Sequence, residues 1–180
     1  MKNRLLFAVL GGLILFIWQF LAFAFPAFHM SSMEYTPLQD ELLAALESSG
    51  LESGMYVLGQ PAPELVEDAA AMEAWQAEHE GGSHARINFR RNHSYAGMGM
   101  NMLRGFFVCI LIAGLLHLLL RKLDGNAKER VLTSMGVGVM GFLFIPYTNY
   151  IWFADPDIWA YALDAIVPWA LLGWLSSGLK

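Results

Sequence analysis

Charge is what this sequence has least of. Only 15% of its 180 residues are Asp, Glu, Lys or Arg, where a soluble domain carries about a quarter. A single cysteine, Cys109, excludes an intrachain disulfide and argues against a cysteine-based metal centre. The chain has no nucleotide-binding glycine loop, no His-Glu-x-x-His zinc spacing and no nucleophile elbow. Phosphoryl transfer, zinc-dependent hydrolysis and serine acyl transfer therefore have no sequence support. Internal repeats are lacking as well, which argues against a solenoid or a transporter built from two related halves. There is no basic excess: the formal charge is −5. Residues 29–97 hold eleven acids against Arg86, Arg90 and Arg91. A segment of that sign seeks neither nucleic acid nor an anionic lipid surface.

What the sequence does have is apolar residues, at 56%, gathered in long runs. Leu5 to Phe28 contains no charge, and about 20 apolar residues suffice to cross a bilayer core. The run is too long for a signal-peptide h-region, although Ala22-Phe23-Ala24 fits a small-x-small cleavage pattern, so it is expected to be an uncleaved anchor. Residues 98–120, 131–154 and 158–179 are three further candidate spans. The expected fold is membrane α-helical: four transmembrane helices, with a small α+β extramembrane domain (29–97) inserted between helices 1 and 2. Within that domain, Thr36-Pro37 signals a helix start and Gly54–Leu58 a strand. Pro63–Glu80 is expected to form a second helix and Ser83–Arg90 an alternating strand.

Basic residues orient the spans. Lys2, Arg4, the polar loop 121–130 and Lys180 carry seven of the eleven, all in short segments. Both termini are accordingly expected in the cytoplasm and the acidic domain outside it. Tyr147, Tyr150, Trp152 and Trp159 surround the Asp155–Asp157 turn, as an interfacial aromatic belt does.

Polar groups inside apolar spans need a physical reason. Asp164 lies about seven residues, or roughly 10 Å, below the outer end of the fourth span. Arg104 lies at a similar depth in the second, and the two are expected to pair. Gln19, Asn101 and Asn149 fall in the same half of their spans. Together the five residues would form either polar glue between helices or a small-molecule or ion site. His117 is expected to be a packed or snorkelling side chain. Ser134 and Gly138 form a small-xxx-small pair that serves internal packing or homodimerisation.

One pattern points toward a metal. Thioether and imidazole groups bind Cu(I). His29, Met30 and Met33 follow the first span, and His93, Met98, Met100 and Met102 precede or open the second. On a helix Met98 and Met102 share a face while Met100 points elsewhere. Convergence would need an extended or turning backbone at Gly97 and Gly99. Methionine as a flexible gap-filler is the simpler account.

Trp18-Gln19-Phe20, Glu34-Tyr-Thr-Pro-Leu-Gln39, Gly54-Met-Tyr56 and Met98-x-Met-x-Met-Leu-Arg-Gly105 resemble small bacterial inner-membrane proteins. The resemblance implies a multi-pass place in the bacterial inner membrane and no activity. The leading expectation is a non-enzymatic envelope accessory or scaffold protein without a cofactor. Its partners would be the lipid bilayer, another membrane or periplasmic protein, and a second copy of itself if Ser134 and Gly138 serve dimerisation. A Cu(I)-handling protein and a small ion or solute transporter are the alternatives.

Overall fold

A computed structural model of the chain describes residues 2–24, 28–30 and 34–179. The fold is mostly helical and divides into two compact units, one of Met1–Glu34 with Tyr95–Lys180 and one of Tyr35–Ser94.

The first unit is built from α1 (Lys2–Ala24), α4 (Met98–Leu120), α5 (Ala127–Phe144), α6 (Pro146–Phe153) and α7 (Ile158–Gly178). Four helical stretches, Asn3–Ala24, Tyr95–Leu120, Ala127–Phe153 and Ile158–Gly178, are long and apolar enough to cross a membrane. α4 follows a 3₁₀ turn at Tyr95–Gly97. The third stretch differs from the expected 131–154 at both ends. Asn126 and Glu129 form a capping box, each side chain satisfying the other's backbone N–H, so Lys128, Glu129 and Arg130 belong to α5 and not to a loop. At the other end Pro146, which has no N–H to donate, stops α5 at Ile145 and becomes the first residue of α6. Pro168 lies within α7, which runs on through it.

The helices pack chiefly as two pairs, α1 on α4 and α5 on α7, with α1 also meeting α7. Close approach depends on small residues. A Cβ at Gly12 would lie 2.7 Å from the Ile110 Cα of α4. A Cβ at Gly138 would run into the Ala165 carbonyl and the Trp169 ring of α7. Ser134 Oγ, one turn before Gly138, donates to the Trp169 carbonyl at 2.6 Å. The Ser134/Gly138 pair therefore serves internal packing. The core is Phe7 and Leu15 of α1, Cys109, Ala113, Leu116 and Leu120 of α4, and Leu172 of α7. The four α4 residues recur at the spacing of one helix face.

The second unit holds α2 (Gln39–Ser48), β1 (Gly54–Leu58), α3 (Ala69–His79) and β2 (Ala85–Phe89). Its two strands pair antiparallel, with Gly54 opposite Phe89 and Leu58 opposite Ala85. Both helices start later than the sequence signals. Thr36 and Pro37 open a turn, with Thr36 Oγ1 accepting from Leu38 N–H, and α2 begins at Gln39. Pro63–Leu65 is a separate 3₁₀ turn, and Asp68 caps α3 by accepting from Ala70 and Ala71 N–H. Arg91 secures the exit of β2. Its guanidinium donates to the Leu51 and Glu47 carbonyls at 2.6 and 2.9 Å and lies over the Phe89 ring.

Candidate functional site

Asp157, Tyr161 and Asp164 stand at i, i+4 and i+7 along the start of α7, so they share one face. His29, just beyond the end of α1, is set against that face. Its Nε2 lies 2.9 Å from Asp164 Oδ2, and its Nδ1 lies 3.9 Å from Asp157 Oδ2. An ionised carboxylate only accepts hydrogen bonds, so His29 donates through Nε2. The longer separation is an electrostatic contact rather than a hydrogen bond. Phe23 stacks on the imidazole with centroids 4.4 Å apart and planes 12° apart, and Tyr161 approaches at 4.8 Å. The second oxygen of Asp164 accepts from Trp18 Nε1 at 2.8 Å. His29 and Asp157 are buried. The result is a Trp18–Asp164–His29–Asp157 network that joins α1, the segment after it and α7.

The expected Arg104–Asp164 pair does not form. Arg104 is exposed and has no ion pair among the described residues. The reason is azimuth. Arg104 precedes the inward-facing Cys109 by five residues, which at 3.6 residues per turn is about 140° around the helix. The rest of the expected polar cluster is also dispersed. Gln19 accepts from Cys109 Sγ at 3.5 Å. Asn101 is exposed on α4, and Asn149 is half-buried on α6.

Of the methionine and histidine set, the described members of the first unit stand as follows. Met98, Met100 and Met102 lie in a regular helix and are exposed, so Met100 is turned about 200° from Met98. His29 is engaged with Asp164 and stacked on Phe23, and Met30 beside it is exposed. Met33 lies outside the described residues, and His93 is an exposed residue of the other unit. Among the described residues, no group of three or more His, Cys, Asp or Glu side chains is placed to hold a metal ion.

A second polar centre lies at the other end of the helices, around Arg130. The residue is buried, yet it has no ion pair with a carboxylate among the described residues. Its guanidinium donates to the Leu120 and Leu123 carbonyls at 3.0 and 2.9 Å and to Ser176 Oγ at 3.2 Å. Leu120 ends α4, and Ser176 stands two residues before the end of α7. The charge thus sits among acceptors at two helix C-termini, where backbone dipoles present partial negative charge. One turn inward, His117 is buried and stacks on Phe7 at 4.7 Å, as a packed side chain would.

Sequence reasoning missed Trp18, Asp157 and Tyr161 as partners of Asp164, and Arg130 as a buried group. The polar i, i+4, i+7 stripe on α7 was the available signal for the first three. For Arg130 the signal was Asn126 three residues before Glu129, which starts a helix early enough to carry the arginine inward. Comparison with protein-family models, curated proteins and solved structures gives no match to this chain.

Proposed function

We propose that this is a multi-pass bacterial inner-membrane protein acting as a non-enzymatic scaffold. Four spans would hold the Tyr35–Ser94 unit on the periplasmic side, with both termini cytoplasmic, and that unit would dock another envelope protein. The orientation rests on the basic residues at the ends of α1, α4 and α5 and on the acidic composition of residues 29–97. The aromatic residues Tyr147, Tyr150, Trp152 and Trp159 are all exposed around the α6–α7 turn, which suits a membrane–water interface.

The observation that carries the docking role is the uncovered face of α2. Leu38, Leu42 and Leu43 are exposed, and the rest of their own unit buries no residue of α2. In the whole 35–94 unit Phe89 is the single buried residue. A unit that leaves this much apolar surface open is suited to a partner that covers it. Its acidic charge disfavours an anionic bilayer surface as that cover and favours a protein. The polar side chains described between the spans support a structural bundle, because Asp164, His29, Arg130 and Ser134 are all engaged by neighbours.

The test is a photo-crosslinking amino acid at Leu42 in the full chain, expressed in a Gram-negative host. The expected result is a discrete adduct with one other envelope protein, lost when Leu38 and Leu43 are both changed to Glu. A chain that crosslinks only to lipid, or to nothing, sinks the docking reading.

A further inference from the structure

At the end of the bundle that holds Arg4, α1 and α4 leave a groove of about 670 Å³ between them. That is within the ~300–1,000 Å³ typical of small-molecule sites. Leu5, Ile110, Leu111, Leu115 and Leu118 wall it. Gly114 adds no side chain to this lining, and a Cβ there would meet only Ala8 Cβ, at an ordinary 3.7 Å. Two polar side chains enter this apolar lining. One is Arg4. The other is His117, more than nine-tenths buried, whose Nδ1 has no hydrogen-bond partner among the described residues. Leu118 is shared with a second hollow, lined also by Leu119, Arg121 and Lys122. No carboxylate lines either hollow. The side chains of Arg4, Arg121 and Lys122 make no hydrogen bond or ion pair among the described residues.

An apolar slot between two helices, bordered by cations and lacking any anion, matches one kind of molecule. We propose that this groove is a specific site for an anionic phospholipid. One acyl chain would lie along Leu111, Gly114 and Leu115, and the phosphate would sit on Arg4, with Arg121 and Lys122 on the far side of Leu118. Basic pockets between spans on the cytoplasmic side select anionic headgroups in this way. A zwitterionic lipid would bring an ammonium or quaternary ammonium group to a lining that offers it no acid, and free phosphate would leave the apolar slot unfilled. The inference rests on the membrane reading above, since a phospholipid reaches this groove only from a bilayer.

The test is native mass spectrometry of the full chain in mild detergent, with equal amounts of phosphatidylglycerol, phosphatidylethanolamine and phosphatidylcholine of identical acyl chains. Phosphatidylglycerol should be retained about tenfold over either zwitterionic lipid. Arg4→Gln, a change at an exposed residue, should abolish that preference. Gly114→Leu should lower retention of all three lipids by filling the slot. Millimolar inorganic phosphate should displace nothing. Equal retention of the three lipids, an unchanged preference in Arg4→Gln with a normal thermal melt, or displacement by phosphate alone overturns the site. Carbonate extraction of the same cells separates this failure from the larger one. A chain released by carbonate refutes the membrane reading, whereas a chain that stays in the membrane without lipid preference refutes only the site.

Discussion

His29 Nε2 lies 2.9 Å from Asp164, and the same carboxylate takes the indole N–H of Trp18 at 2.8 Å. One side chain of α7 therefore holds both α1 and the segment that leaves it. Asp164→Leu should remove both bonds and destabilise the bundle by about 1–3 kcal/mol, read as a lower Tm in detergent. Asp164→Asn should cost less, because an amide still offers Trp18 an acceptor. Arg104→Gln should leave the Tm unchanged. A fall equal to that of Asp164→Leu would mean that the two residues do pair.

Gly138 and Gly136 lie on the same helix and should respond oppositely to one methyl group. At Gly138 the methyl meets α7, and at Gly136 it meets open space. Gly138→Ala should cost about 1–3 kcal/mol as an overpacked contact. Gly136→Ala should be neutral or stabilising by up to about 1 kcal/mol. Thermal melts of the two variants beside the parent protein make the comparison.

Arg130→Met should destabilise by about 2–4 kcal/mol, since three charge-assisted hydrogen bonds to Leu120, Leu123 and Ser176 go with it. Arg130→Lys should restore only part of the loss, because one ammonium cannot span the acceptors that a planar fork reaches. Full recovery in the lysine variant would show that charge alone matters at this position.

The buried, solitary Cys109 makes the chain a clean background for cysteine labelling. With a membrane-impermeant maleimide, Gln60→Cys should label in intact cells and Lys128→Cys only after the membrane is opened. The reverse pattern would invert the proposed orientation.

The four long apolar helical stretches were legible because hydropathy needs only a run of apolar residues. The second candidate span, 98–120, coincides with α4, and the fourth, 158–179, exceeds α7 by one residue. Both strands were legible from glycine boundaries and from the alternation of Ala85, Ile87 and Phe89. Side-chain partners were not, because they depend on rotation about each helix axis as well as on depth. Depth alone matched Arg104 to Asp164, and the 109, 113, 116, 120 face of α4 places Arg104 elsewhere. The contact of His29 with Asp164 was not legible because nothing in its local sequence shows that the chain turns back there onto α7. Arg130 was read as a loop charge because a capping box is a weaker signal than the neighbouring basic residues.

The acceptors of Arg130 also set an order of assembly. Leu120 and Leu123 precede it, so two of its three bonds can form as soon as α5 is made. Ser176 arrives 46 residues later. The α5 surface that Ser134 and Gly138 present to α7 also waits, since its partner Trp169 follows Ser134 by 35 residues. α7 is thus the helix that completes these contacts, and a chain stopped before Ser176 would leave a guanidinium waiting on a hydroxyl that never comes.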